Sequence, residues 1–302
     1  MSPRTSRAML LAVALWSPAA LNAAPIMNSE SAFFMQLEQI RMSMKLDIQQ
    51  ADMGMEAAPD PAAAQALVIE KLKGSGVPPQ YVQAAFARPE VKIYEEIAGF
   101  FDKPAESLPY EEYRKRLITE ARIRKGVEFF RAHQALLHEI TYAYNTDPLL
   151  LTSLVGVESN YGMERARYTV FNALYTVILR VPKRSKWAAN ELAEYLKYCY
   201  ADKVDPQGIN GSYAGAFGFG QFMPSSFNKY AVDYDRDGIR THDTWPDVLA
   251  SVSNYLIQHG YPPGSSDFSF GSPVWKAIYA YNHSDNYVHV LIDLREEIKK
   301  RL

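Results

Sequence analysis

Apolar side chains recur along this chain at steps of three and four residues, so most of it predicts α-helix. The spacing runs through Ser31–Gln50, Ala64–Lys73 and Tyr110–Tyr144. It returns over Val170–Leu179, Lys186–Tyr200, Pro246–His259, Pro273–Tyr281 and Asn286–Lys299. Between these stretches lie Pro78-Pro79 and Pro262-Pro263, paired breakers, and Met53–Pro61, a Met-, Ala- and Pro-rich segment that reads as a loop. Strict alternation, the mark of a half-buried strand, is scarce, and no repeat or low-complexity tract stands out. The simplest organisation is one compact, mostly helical body.

One helix is unusual. Asp147-Pro148 is a start signal: an aspartate can accept from the free first-turn amides, and proline suits the first helical position. The apolar run LLLTSLVGV follows and ends directly on Glu158, inside GVESNYG at 156–162. Leu150, Leu151, Leu154, Val157 and Glu158 fall on one stripe, which turns Glu158 toward the core. An apolar setting disfavours the charged form of a carboxyl group, and a general acid working near neutral pH needs that. A buried glutamate paired with an arginine would leave the same trace.

Composition narrows the partners. The chain has 302 residues, 48% of them hydrophobic, enough for one large core or two modest domains. The formal net charge of -2 provides no basic footprint for nucleic acid. Twenty tyrosines within an aromatic content of 13% suit either a sugar-binding cleft or an ordinary core. Residues 1–24 read as a secretory signal: Arg4 and Arg7, a short apolar core from Ala8 to Trp16, then Pro18 and small residues up to Ala23 and Ala24. That core is too short to span a bilayer, and no later segment is long and apolar enough to do so. The only cysteine is Cys199, so no internal disulfide can form. The expectation is an exported, periplasmic or secreted monomer without a transmembrane segment.

Two further stretches carry chemistry. GSYAGAFGFGQFMPSSF at 211–227 interleaves glycines with aromatic residues. It completes neither a dinucleotide-binding glycine pattern nor a phosphate loop, and Ser212 sits one place early for a hydrolase elbow. What remains is a backbone that approaches a ligand closely, or a plain turn. DYDRDGIRTHDTWPD at 233–247 places Asp233, Asp235, Asp237 and Gly238 as in the first half of a calcium loop. Thr244 stands where the closing glutamate would be; Asp247, three residues later, and Asp243 are the candidate replacements. HEITY at 138–142 lacks the second histidine of a zinc-protease helix, and the six histidines are scattered. YNHSDNY at 281–287 reads by itself as a turn.

Taken in order, YRKRLIT at 113–119, GVESNYG, Pro182 with Lys183-Arg184, the glycine-rich stretch, the acidic loop and YNHSDNY resemble the lytic murein transglycosylase B family over residues 80–295. The resemblance implies a mainly α fold: a lysozyme-like α+β catalytic core over 146–302, with an additional helical N-terminal region over 25–145 packed on it. It implies a peptidoglycan glycan substrate and Glu158 as the single catalytic acid. Groove residues would be Tyr113, Tyr161, Arg184, Ser212, Gln221, Phe222, Tyr281, Asn282 and Tyr287. The family's calcium loop is itself elongated, which makes Asp233, Asp235, Asp237, the Ile239 carbonyl and Asp247 the implied ligands of a structural Ca2+; no cofactor is implied for the chemistry. The chain departs from the family pattern at Ala166, where glycine is usual, and in a short Tyr261–Tyr281 stretch. Lysozyme-type hydrolysis, including of de-N-acetylated glycan, and a non-catalytic wall-binding module are the competing readings.

Overall fold

Several of the helices start on a side-chain cap, with Asp60, Thr119, Asp147, Ser272 and Ser284 each accepting from a first-turn amide. In the computed structural model, which describes residues 57–102, 109–164 and 166–302, the elements run α1 (Pro61–Lys71), α2 (Pro79–Phe86), α3 (Glu96–Asp102), α4 (Tyr110–Leu117), α5 (Glu120–Ala132), α6 (Gln134–Tyr144), α7 (Pro148–Ser159), β1 (Tyr168–Thr169), α8 (Val170–Arg180), α9 (Ser185–Ala201), β2 (Asn210–Gly211), α10 (Pro224–Tyr230), α11 (Trp245–Gln258), α12 (Pro273–Tyr281) and α13 (Asp285–Lys299). The signal segment 1–24 and the helix expected over Ser31–Gln50 lie outside the described residues, as do the first four residues of the Met53–Pro61 loop. Among the described residues no helix is long and apolar enough to cross a membrane.

The single helix expected over Tyr110–Tyr144 is three. Ile118 leaves the helical region at ψ 78°, and the Thr119 hydroxyl accepts from Arg122 N at 3.2 Å, which starts α5 afresh. His133 makes the second break. The apolar period continues across both joints because all three helices bury one side, so periodicity alone could not show them.

At the centre lies α7. The expected stripe is too modest a description: every side chain from Leu150 to Ser159 is buried, as a helix apolar on all sides requires. The Thr152 and Ser153 hydroxyls satisfy themselves on the carbonyls of Pro148 and Leu149, at 2.8 and 2.9 Å. Helices α5, α6, α11 and α13 pack around it, while α1 packs on α8 and α9.

Two contacts hold α7 and α13 side by side in antiparallel fashion. At one end Asp147 caps α7, accepting from Leu150 N at 2.7 Å, and also takes both arms of Arg295 at 3.1 and 2.6 Å. At the other end Glu158 meets Tyr287. The small sheet beside them pairs Tyr168 with Gly211 and Thr169 with Asn210, and single bridges join Gly211 to Phe217 and Phe217 to Phe222.

Candidate active site

The chain must turn immediately after Glu158, and it does so through three consecutive residues of positive φ: Asn160 at 50°, Tyr161 at 62° and Gly162 at 75°. Only glycine adopts this region freely, so the turn carries strain that its surroundings hold in place. They do so through Tyr161. Its ring folds back beneath α7 and its hydroxyl donates to the Arg122 carbonyl at 3.1 Å. A Cβ at Gly156 would stand 2.6 Å from that ring, which explains the glycine two places before the acid. The structure places Tyr161, expected from sequence to line the groove, 5% exposed between α5 and α7. Its work is to fix the end of the helix that carries Glu158.

Glu158 is 2% exposed. The Tyr287 hydroxyl donates to its Oε1 at 2.6 Å. Tyr287 stands in the first turn of α13, where the Ser284 hydroxyl caps its amide at 3.3 Å. The polar cluster YNHSDNY, which reads locally as a turn, is therefore the start of a helix that aims a phenol at the acid. Burial first, and then the Glu158 charge, push the Tyr287 and Tyr281 phenols well above their ordinary value, so both remain O–H donors. Tyr113, fully buried on α4, is near enough for its charge to act on Tyr287.

Tyr281 links the acid to a cavity of about 350 Å³. Its hydroxyl donates to the Gly220 carbonyl, and its ring packs against Phe222 and Tyr255, with centroids 5.5 and 4.8 Å apart. Gln221, Met223, Ser225 and His283 complete much of the wall. Glu158 is not among the residues that line the cavity, whereas Tyr281, whose phenol feels the Glu158 charge, is. Flat aromatic faces with polar edges suit a sugar ring better than a charged cofactor.

The glycine-rich loop is shaped from within. Ser212 Oγ accepts from Ala214 N at 3.2 Å and Ala216 N at 3.0 Å, closing its first turn. Its glycines yield mainly to the protein rather than to a ligand: Gly218, at φ 73°, lies against the His242 backbone. Gln221, also left-handed at φ 48°, donates from Nε2 to the Gly218 carbonyl at 2.9 Å. Arg184 stands farther along, its guanidinium 5.0 Å over the Phe101 ring, which packs edge-on to Tyr213 beside Ser212. Asn282 is fully buried where α12 ends. The structure thus gathers Tyr113, Tyr281, Tyr287, Gln221 and Phe222 around Glu158 and the cavity, and places Arg184 over Phe101 beside Tyr213.

This arrangement has known counterparts. The family model for the transglycosylase SLT domain matches residues 60–270. The chain belongs to that family. The membrane-bound lytic murein transglycosylase B of Escherichia coli (strain K12) is 35% identical over 153 residues, half of this chain and 42% of that protein. This chain thus spans less than half the length of that relative. The crystal structure of the soluble lytic transglycosylase SltB1 from Pseudomonas aeruginosa superposes with a TM-score of 0.72 at 27% identity, covering 79% of this chain and 99% of that one. The Escherichia coli lytic transglycosylase Slt35 in complex with calcium gives 0.71 at 24% identity, covering 84% and 97%, a likeness of fold. The mainly α, lysozyme-like fold class expected from the sequence is the one observed. Tyr281, Asn282 and Tyr287 lie beyond the matched range, on the two helices that close the site.

The acidic loop lies apart from Glu158. Asp233, Asp235 and Asp237 bring carboxylate oxygens within 4.8 Å of one another. They also tie down the loop's amides: Asp233 accepts from Asp237 N at 3.1 Å and Gly238 N at 3.0 Å, and Asp237 accepts from Ile239 N at 2.8 Å. Gly238 supplies the sharp turn at φ 90°. Asp247 is fully buried and spans the loop's base, accepting from Tyr234 N at 2.8 Å and Thr241 N at 2.7 Å. The Asp237 amide lowers the Asp235 carboxyl, but desolvation and the charges of Asp247, Asp237 and Asp233 outweigh it, and the group rises. Hard oxygen donors crowded enough to repel one another are the donor set that a calcium ion relieves.

The sequence offered no sign of two neighbours. Tyr255, whose hydroxyl donates to the Ala280 carbonyl at 2.7 Å and whose ring stacks on His259, reads as one more apolar position of α11. Glu191 reads as a polar position of α9, yet it is 2% exposed.

Proposed function

We propose that this protein cleaves the β-1,4 bond between N-acetylmuramic acid and N-acetylglucosamine in peptidoglycan, with Glu158 as its single general acid and base. The observation that carries this reading is the Tyr287–Glu158 hydrogen bond beside an aromatic-walled cavity. In this reading Glu158 is the single carboxylate of the reaction, and the substrate's own acetamido group takes the place of a protein nucleophile.

Glu158 gives its proton to the bridging oxygen as the anomeric carbon–oxygen bond breaks and the electron pair leaves with that oxygen. The transition state is oxocarbenium-like, and the acetamido oxygen of the muramic sugar supports the positive carbon. The carboxylate of Glu158 then takes the proton of the muramic 6-hydroxyl, whose oxygen closes on the anomeric carbon. The product is a 1,6-anhydro end and no water is consumed. Tyr287 holds the carboxyl oriented through both transfers, and Phe222, Tyr255 and Tyr281 offer faces for the adjoining sugars.

The test is fragment release from purified cell walls, followed by mass spectrometry. Anhydro ends, lighter by one water than reducing ends, are expected, and Glu158→Gln should keep the fold and release nothing. Full activity in that variant would overturn the assignment. Reducing ends from the unaltered protein would assign hydrolysis, and binding without release would assign a wall-binding module.

The acidic loop fits a structural calcium ion held by Asp233, Asp235 and Asp237, with the Ile239 carbonyl and Asp247 completing the set. The ion would brace the loop and takes no part in proton transfer. Export to the periplasm, where this substrate lies, agrees with the N-terminal leader pattern.

A further inference from the structure

The wall segment Gln221–Phe222–Met223 runs straight into α10, and α10 begins badly. Its cap position is Met223, whose side chain makes no capping bond, and Pro224 has no amide. Ser225 N is therefore the first amide needing an acceptor. It finds one outside its own segment: Glu191, on α9, accepts from Ser225 N at 3.0 Å through Oε2 and from the Ser225 hydroxyl at 2.8 Å through Oε1. This carboxyl is 2% exposed and, unlike the half-buried Asp147, has no arginine or lysine among its bonds to the described residues. Placing such a group without a counter-charge is costly, and an apolar residue would fill the space at less expense.

We propose that Glu191 is a positioning residue for glycan binding: it caps α10 from α9 and, through Ser225, fixes the Gln221–Met223 wall of the cavity. This inference rests on the peptidoglycan reading of the same site. The wall is hung from two supports. At its near end Phe217 and Phe222 exchange backbone bonds of 3.0 and 3.1 Å, and at its far end stands the Glu191–Ser225 pair. Between them lies Gln221 in its left-handed conformation, with Phe222 against Tyr281. Releasing the far support frees the face that meets the sugar while leaving Glu158, Tyr287 and α7 untouched. The effect belongs on affinity rather than on the chemical step.

The experiment is steady-state kinetics on soluble peptidoglycan glycan strands with Glu191→Gln, Glu191→Ala and Ser225→Ala, each with its melting curve. Glutamine can accept from the Ser225 amide and donate to its hydroxyl, so Glu191→Gln should keep KM and kcat within about twofold of wild type. Glu191→Ala should raise KM about tenfold or more at nearly unchanged kcat, the cost of a displaced binding wall. Ser225→Ala, which removes one arm and keeps the amide, should raise KM by a smaller factor. Unchanged KM in folded Glu191→Ala, or parallel loss of kcat and melting temperature, would overturn the proposal. If Glu191→Ala does not fold, Ser225→Ala decides: unchanged KM there counts against it equally. An unaltered protein that releases no glycan fragments would instead sink the peptidoglycan reading, a separate outcome.

Discussion

Tyr287 donates its hydroxyl to Glu158 across 129 residues of sequence, over 2.6 Å. Each partner is placed by its own helix end: Glu158 one residue before α7 stops, Tyr287 within the first turn of α13. The Asp147–Arg295 pair at the opposite ends keeps the two helices in register. Replacing Tyr287 by phenylalanine removes the oxygen and keeps the ring. One hydrogen bond to a buried, charge-bearing group contributes about 1.5–3 kcal/mol, so kcat should fall roughly tenfold to a hundredfold. KM should change little, because Tyr287 faces the acid and not the cavity. Steady-state kinetics on soluble glycan strands will show whether the loss lies in kcat.

Gly156→Ala probes the turn behind the acid. The added methyl would stand 2.6 Å from the Tyr161 ring, and that ring is boxed in by Arg122 and Gly126. Overpacking of this kind costs about 1–3 kcal/mol, seen as a lower melting temperature. The displaced turn also carries Glu158 with it, so activity should fall further than stability alone explains. Tyr161→Phe, which loses only the bond to the Arg122 carbonyl, should be milder on both counts.

How much of this was legible beforehand follows from which signals are local. Asp147-Pro148 announced α7, and the cap is observed, because capping is settled within four residues. Glu158 was legible as an acid on a buried helix. The packing of Tyr161 was not legible because it depends on Gly126 and Gly156, one of them 35 residues away, which no local pattern encodes. The breaks at Thr119 and His133 were hidden by an apolar period that continues across them. Tyr255 and Glu191 were hidden for a third reason: a helix position shows whether it is buried, not what it meets there.

Asp147 holds two structures at once, so Asp147→Ala should be expensive. It removes the cap of α7 and leaves Arg295, 7% exposed, with its guanidinium still packed on the Phe268 ring but without this carboxylate. Loss of the cap costs about 1 kcal/mol, and loss of the charge-assisted bonds to Arg295, which keeps Glu296, about 1.5–3 kcal/mol more. Chemical denaturation should record that drop. Activity should fall in the surviving folded fraction as well, since α13 then loses the contact that aligns Tyr287.

For the acidic loop the expectation concerns stability alone. An ion that binds the native fold and not the unfolded chain stabilises it, by about 2.7 kcal/mol at a hundredfold excess over Kd, and so raises the melting temperature. Melting in calcium should therefore occur above melting in chelator, and Asp235→Asn should shrink the difference. The rate of glycan cleavage per folded molecule should be the same in both. A calcium-independent melting temperature would remove the ion from the loop.

The Glu191 carboxyl makes a pH prediction with a definite sign. Burial pushes it from 4.5 up to about 7, against the pull of the Ser225 amide and hydroxyl and with a small push from Glu194. A carboxyl raised on folding holds its proton more tightly in the native state than in the unfolded chain. Its contribution to stability is therefore complete below pH 4.5 and is lost as the pH climbs through about 7. The full shift corresponds to about 3 kcal/mol. Wild type should accordingly lose stability between pH 5 and 8 relative to Glu191→Gln, whose side chain has no proton to lose. Matched denaturation curves across that range check it: the two proteins should converge toward pH 5 and separate toward pH 8, with the glutamine variant the more stable. Parallel curves would mean that Glu191 does not titrate there and that its carboxyl is ionised in the fold throughout.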